Sequence, residues 1–312
     1  MDLPVAPLSE CGAPDHGRAF WLAAADGVKT RLAFWAMPAG GKGHVMILPG
    51  RTEYIEKYGL VVRDLAAAGW GAFVIDWRGQ GLADRAFDDG LLGHVGDFAE
   101  FQLDLDAALA AAETLAPGPK PWLAHSMGGC IATRGLMRGL TPPAAAFSAP
   151  MLGLANDPGQ LKALKLVAGL ARPFGLDRRY APTTGPNFGI ATMGFEGNNL
   201  TTDPEQYARM KAQILAEPRF GLGGPSLRWM GAALREMAEL AALPSPAVPA
   251  LFGLGDDEAI VNPSAIRDRV GRWPGVEFAE YPGGRHELLM ERKEIRADFL
   301  SRVVVLFDRY SS

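Results

Sequence analysis

The segment Pro121-Trp122-Leu123-Ala124-His125-Ser126-Met127-Gly128-Gly129 constrains the fold more than any other part of this 312-residue chain. A short apolar run climbs to a serine set among small residues. A helix-compatible stretch, 130–137, follows without a spacer. That order predicts a strand, a sharp turn and a helix, with the serine hydroxyl held up at the end of a sheet. Strand and helix backbones nearly touch at the positions two before and two after the serine. Here these are Ala124 and Gly128. Glycine at both is the usual pattern. A methyl group is the smallest departure from it, and the turn is expected to survive.

The rest of the chain supplies the sheet that such a turn needs. Segments 19–24 and 28–36 flank Asp26-Gly27, a strong tight-hairpin signal. Short apolar runs at 44–48, 72–75, 144–148, 248–254 and 276–280 read as strands. They alternate with helix-compatible segments at 57–68, 97–116, 263–272 and 291–310, the second of them capped by Asp97. This alternation predicts an α/β fold, a mostly parallel sheet covered by helices on both faces. Reactive groups then belong at the carboxyl ends of the strands. Pro49, Asp76, Ser126 and Glu258 all follow strand ends.

From 153 to 240 the alternation stops. Leu161, Leu164, Val167 and Leu170 recur at helical spacing beside Lys162 and Lys165. Asp203-Pro204 opens a second helix, with proline at its first position. A third, 226–240, carries Trp229, Met230 and Met237. The expected organisation is a core of 1–152 and 241–312, interrupted by a helical cap at 153–240. Most apolar residues of the cap should pack its own interior. A few, with Trp229 and Met230 as candidates, should line an apolar pocket.

Composition removes several classes. A formal net charge of −4 leaves no basic footprint for nucleic acid. No apolar run approaches the roughly 20 residues that span a bilayer. Segment 1–20 carries Pro, Asp and Glu and lacks a basic start followed by an apolar stretch, so no signal peptide is expected. The two cysteines, Cys11 and Cys130, suggest neither a disulfide framework nor a metal site, and fit a reducing cytoplasm.

A serine hydroxyl is a weak nucleophile until a histidine takes its proton, and the histidine needs an acid to orient it. For an elbow serine, the chain order is serine, acid, histidine. Of five histidines, His286 alone follows both the elbow and the insertion, in the loop Tyr281-Pro282-Gly283-Gly284-Arg285-His286. His125 should point away from the serine into packing. His16 and His44 read as structural or exposed, and His94 as a loop residue or one that supports the site from behind. The acid should end the strand before His286, where Asp256, Asp257 and Glu258 compete. At least two of these are solvated loop charges.

Four motifs together resemble the α/β-hydrolase group of bacterial lysophospholipases and monoacylglycerol lipases, also called serine aminopeptidase-type hydrolases. They are Pro49-Gly50-Arg51-Thr52-Glu53, Asp76-Trp77-Arg78-Gly79-Gln80-Gly81, His125-Ser126-Met127-Gly128-Gly129, and Gly255-Asp256-Asp257-Glu258-Ala259-Ile260-Val261 followed by His286. The resemblance implies Ser126, Glu258 and His286 as the catalytic residues, with Asp256 and Asp257 as fallback acids. It implies an oxyanion hole from the backbone N–H groups of Arg51 and Met127, and a bracing role for Glu53 through Arg51, Arg78 or nearby backbone. Pro49 stands where relatives often have histidine. The implied substrate is a small-molecule or single-chain lipid ester, with no metal or organic cofactor, no nucleic acid and no protein partner. A transient contact with a membrane surface is compatible. Two alternatives stay open. Glu196, Asp203, Glu205 and Glu217 could grip a free amine in an aminopeptidase, and the same fold can serve as a non-catalytic binding module.

Overall fold

Alternate residues of each strand face opposite sides, and the core divides along that line. The computed structural model describes residues 3–187 and 189–311; residues 1, 2 and 312, and Phe188 in the Gly/Pro/Asn-rich stretch of the insertion, lie outside them. The strands are β1 (Val5–Ala6), β2 (Arg18–Ala23), β3 (Lys29–Trp35), β4 (Gly43–Leu48), β5 (Trp70–Asp76), β6 (Trp122–His125), β7 (Ala145–Ser148), β8 (Ala250–Gly255) and β9 (Glu277–Tyr281). They form one sheet in the order β1-β2-β3-β5-β4-β6-β7-β8-β9. β1, β2, β3 and β5 pair antiparallel, and β5, β4, β6, β7, β8 and β9 pair parallel.

The helices are α1 (Gly59–Ala67), α2 (Ala99–Leu115), α3 (Ser126–Met137), α4 (Pro158–Ala171), α5 (Gly189–Thr192), α6 (Pro204–Ala216), α7 (Leu227–Ala242), α8 (Pro263–Val270) and α9 (Lys293–Tyr310). In β4, Val45 and Ile47 pack with Val61 and Leu65 of α1 and Phe299 and Val303 of α9. Their neighbours Met46 and Leu48 pack on the other face, with Phe101 and Leu105 of α2 and Ile131 of α3. Both faces are dry, so the central strands read as continuous apolar runs. The hairpin between β2 and β3 turns at Gly27, whose φ of 86° is left-handed. Asp97 caps α2 reciprocally: its Oδ1 accepts from the Ala99 N–H at 3.1 Å, and its own N–H donates to Glu100 Oε1 at 2.9 Å.

Among the described residues, 153–240 contributes α4 to α7 and no strand to the sheet. Asp157 and Asp203 cap α4 and α6, each followed by proline. The expected apolar face of α4 is only partly buried. Ala168 packs beneath the helix against Gly231 of α7, whereas Leu166, Val167 and Leu170 are exposed at 63%, 42% and 56%. No helix among the described residues is long and apolar enough to cross a membrane.

Candidate active site

β6 ends at His125 and α3 begins at Ser126, so strand becomes helix within one residue. Ser126 holds a φ of 49°, a strained left-handed value for a residue with a side chain. The crowding around it accounts for the small neighbours. A Cβ on Gly128 would lie 2.0 Å from the Leu48 carbonyl oxygen, and one on Gly50 would lie 3.1 Å from the Ser126 Cβ. The Ala124 methyl lies in the fully buried core between β4 and β7.

The loop after β9 carries His286 back over the sheet. Its Nε2 lies 2.9 Å from Ser126 Oγ, and its Nδ1 lies 2.7 Å from Glu258 Oε2. Glu258 Oε1 accepts from the N–H groups of Ile260 at 2.6 Å and Val261 at 3.1 Å, and the side chain is fully buried. Burial alone would raise its pKa. The hydrogen bond and charge of His286, with the two amides, outweigh burial and hold the carboxyl below its ordinary value. Asp256 and Asp257 are exposed, and Asp256 accepts from the Gly283 N–H at 2.5 Å. The structure therefore brings Ser126, His286 and Glu258 together and leaves the two aspartates outside.

The loop after β4 is braced by groups that sequence reasoning placed only in part. Glu53 does not engage Arg51 or Arg78. It accepts from the Gly50 N–H and from the Tyr58 hydroxyl at 2.6 Å, and it pairs with Lys57 at 2.6 Å. Arg78 is committed to Asp104 and Asp26 instead. Gln80, from the turn after β5, donates to the carbonyls of Gly50 at 2.7 Å and Glu53 at 3.1 Å. Asp76 anchors the same turn, accepting from the N–H groups of Ile55 and Leu82 while pairing with the buried Arg31. Met127 is the second residue of α3, where a backbone N–H has no helical acceptor. Arg51 follows Gly50 and precedes Thr52, whose φ of 65° turns the loop.

Beneath the loop, Glu53, His125 and Glu287 converge. The position between the carboxylates is already taken by the Lys57 ammonium, 2.6 Å from Glu53 and 2.7 Å from Glu287. His125 turns to Ser148, with Nδ1 3.0 Å from its carbonyl oxygen. Burial pushes the His125 pKa down to about 4, against the pull of Glu53. The unfolded chain therefore binds a proton below about pH 6.5 that the folded chain refuses until about 4. Stability should fall as pH drops through that window. Glu53, held down at about 2, loses its contribution only below about 4.5. The measurement is the urea midpoint between pH 6.5 and 4.5 for the wild type and His125→Asn. Burial lowers His44 and His94 as well, so the difference between the two proteins isolates His125. A difference that stays constant with pH would contradict a buried neutral imidazole.

A cavity of about 480 Å³ opens beside these groups. Arg51, Thr52, Tyr54, Lys57 and Glu287 line it from the core. Ile190, Met193, Tyr207, Met210, Ile214 and Leu222 line it from the insertion. Ser126 and His286 are not among its lining residues, but Glu287, the next residue after His286, is. Trp229 and Met230 do not reach it. Trp229 is buried against Phe98 with ring centroids 5.6 Å apart, and Met230 packs beside the same cluster, because the inner face of α7 is turned to α3. The apolar wall comes instead from α5, α6 and the segments flanking them. Their apolar positions are too scattered along the chain to show a period. Two backbone bonds tie the insertion to the histidine loop: the N–H groups of His286 and Glu287 donate to the carbonyls of Asn199 at 3.4 Å and Leu200 at 2.8 Å.

A family model described as "Serine aminopeptidase, S33" matches residues 40–293. The chain is 30% identical to lysophospholipase L2 of Escherichia coli over 289 residues, which covers 86% of this chain and 81% of that protein. It is 26% identical to the monoacylglycerol lipase of Mycolicibacterium smegmatis over 277 residues, 88% of this chain and 91% of that one. Among solved structures, a soluble variant of monoglyceride lipase from Saccharomyces cerevisiae, in complex with a substrate analog, aligns with a TM-score of 0.74. Its identity is 20%, covering 97% of this chain and 100% of that chain. A carboxyl esterase from Bacillus coagulans aligns with a TM-score of 0.71 at 16% identity, covering 95% and 99%. By fold, and by a family match that spans most of its length, the chain belongs to the serine aminopeptidase family of α/β-hydrolases.

Proposed function

We propose that this chain is a serine ester hydrolase acting on single-chain lipid esters of the lysophospholipid or monoacylglycerol type. The observation that carries the reading is the relay Glu258–His286–Ser126, with steps of 2.7 and 2.9 Å. Ser126 Oγ attacks the acyl carbonyl while His286 Nε2 takes its proton. The N–H groups of Arg51 and Met127 hold the tetrahedral oxyanion. The leaving alcohol departs with the proton from His286, and a water activated by the same imidazole clears the acyl-enzyme. Glu258 orients the ring and stabilises its charged form. These steps draw on side chains, backbone amides and water alone.

Residues 153–240 act in this reading as a helical cap over a core made of 1–152 and 241–312. The relatives' names support a lipid ester as substrate. An aminopeptidase is favoured less, because Glu196, Asp203, Glu205 and Glu217 do not line the cavity; Asp203 caps α6 and Glu217 pairs with Arg219. A cytoplasmic location belongs to the same reading, supported by two cysteines that are buried and unpaired. So does a brief contact with a membrane surface, supported by exposed Leu166 and Leu170 beside Lys162 and Lys165 on α4.

The cavity wall supplies the test. Each CH₂ moved from water onto Ile190, Met210 or Leu222 is worth about 0.8 kcal/mol, or about fourfold in kcat/KM. Efficiency on p-nitrophenyl esters should therefore climb from acetate over several carbons, then level off when the wall is covered. A profile that peaks at acetate, or faster cleavage of an aminoacyl amide, would overturn the lipid reading.

A further inference from the structure

The proposed ester chemistry uses only the backbone N–H of Arg51, yet the side chain sits in a built pocket. It lines the cavity and is partly buried. Nη2 donates to the Gly223 carbonyl at 2.6 Å, and the buried Nε has no partner among the described residues. The Trp229 ring covers one face, with its centroid 5.2 Å from Cζ. Gly93 leaves room for the fork, since a Cβ there would lie 2.3 Å from Nη2. Among the described residues no carboxylate pairs with this guanidinium, and only burial acts on its pKa, which falls to about 10. It therefore stays charged at neutral pH.

Several other interior cations have carboxylate partners. Arg31 pairs with Glu56 and Asp76, Arg78 with Asp104 and Asp26. Lys57, on the same cavity wall, pairs with Glu53 and Glu287, so its charge is already answered. Arg269 lacks a carboxylate but meets the carbonyls of Leu240 and Leu243 and the Ser245 hydroxyl. Arg85 and Arg209 each keep an unpartnered nitrogen, but neither lines the cavity. Arg51 combines a charge with no carboxylate partner, a buried unused donor and a place on the cavity wall. A charge held away from water without a counter-charge is costly, and an anionic ligand removes that cost.

We propose that the Arg51 guanidinium receives the phosphate of the leaving group, so that a phosphate-bearing single-chain ester is preferred to a neutral monoacylglycerol. The proposal rests on the ester hydrolase reading and adds the substrate's charge to it. Guanidinium is the side chain best shaped to hold two phosphate oxygens at once. The spacing also agrees. In an arginine, six covalent bonds separate the backbone nitrogen from Cζ. In a lysophospholipid, five or six separate the scissile acyl carbon from phosphorus. One residue can thus contact the developing oxyanion through its amide and the phosphate through its side chain.

Binding tests this without catalysis. A non-hydrolysable alkyl ether of glycerophosphocholine and the matching alkylglycerol, each below its micelle concentration, are titrated into wild type, Arg51→Gln and Arg51→Lys. Arg51→Gln should weaken the phosphate-bearing ether about ten- to a hundredfold more than the alkylglycerol, and Arg51→Lys should recover part of the difference. Equal weakening of both ligands, or none, overturns the assignment. Inorganic phosphate is the competing arm. Competition only at far higher concentration than the ether supports a leaving-group site; competition as strong as the ether's own binding makes Arg51 a free-anion site and overturns the role. Turnover of the parent esters separates the two levels. A wild type that binds with phosphate selectivity but hydrolyses neither ester refutes the hydrolase reading and leaves Arg51 standing. Turnover with unchanged selectivity in Arg51→Gln refutes the Arg51 role alone.

Discussion

Ser126→Ala is expected to lose fluorophosphonate labelling and to cut ester turnover by about 10⁴-fold or more. The fold should survive, because alanine keeps the Cβ beside Gly50 and deletes only the oxygen facing His286. His286→Ala should fall to a similar floor. The double variant should fall no further, because the nucleophile and its base act as one unit and removing either leaves the same residual catalysis. The measurements are single-turnover acyl-enzyme formation and steady-state kcat, with the urea midpoint as a check on folding. A well-folded Ser126→Ala protein that turns over esters at the wild-type rate would remove Ser126 from the chemistry.

Glu258→Gln should cost about 10³- to 10⁴-fold in kcat with little change in stability. The geometry explains why so conservative a change is severe. Glu258 Oε1 accepts two backbone N–H groups, from Ile260 and Val261. Glutamine must keep its carbonyl oxygen there, which turns its NH₂ toward His286 Nδ1. Nδ1 then has to accept, the ring proton moves to Nε2, and Nε2 can no longer take the proton of Ser126. Asp256→Asn and Asp257→Asn should stay within a few-fold of wild type, since both residues are exposed and neither touches the imidazole. A large loss for Asp256→Asn, with Glu258→Gln near normal, would move the acid by two positions.

Local chemistry made much of this legible in the chain itself. The elbow could be read because strand, small residues and helix are contiguous, so Ala124, Ser126 and Gly128 reveal the close approach without any distant contact. The sheet could be read because alternating apolar runs and helical segments leave few architectures open. The histidine could be read by elimination, since His286 alone follows the elbow and the insertion. Edges drifted by a residue or two, as for the helix expected at 57–68, which begins as a 3-10 turn at Ile55–Tyr58 and continues as α1.

Other features depend on which distant groups meet, and no local pattern encodes that. Residues alone left Asp256, Asp257 and Glu258 in competition. In three dimensions, two amides and an imidazole converge on Glu258 and water surrounds the other two. Glu53 braces its loop through nearby backbone, the Gly50 N–H, as expected, but its side-chain partners are Tyr58 and Lys57 on the next turn and not Arg51 or Arg78. Gln80 stood in the Asp76–Gly81 motif, but nothing local pointed to its bonds with the Gly50 and Glu53 carbonyls. The insertion shows the largest gap. Trp229 and Met230 stood out for size and hydrophobicity, properties that suit a core as well as a pocket, and packing of α7 against α3 decided for the core. The cavity wall came instead from residues spread over α5, α6 and the loops around them. Local spacing thus determined the sheet, the elbow serine and its histidine, and family resemblance singled out Glu258 among three carboxylates, whereas long-range packing alone decided the cavity wall and the unpaired charge of Arg51, because desolvation and pairing are properties of neighbours that the chain brings together only on folding.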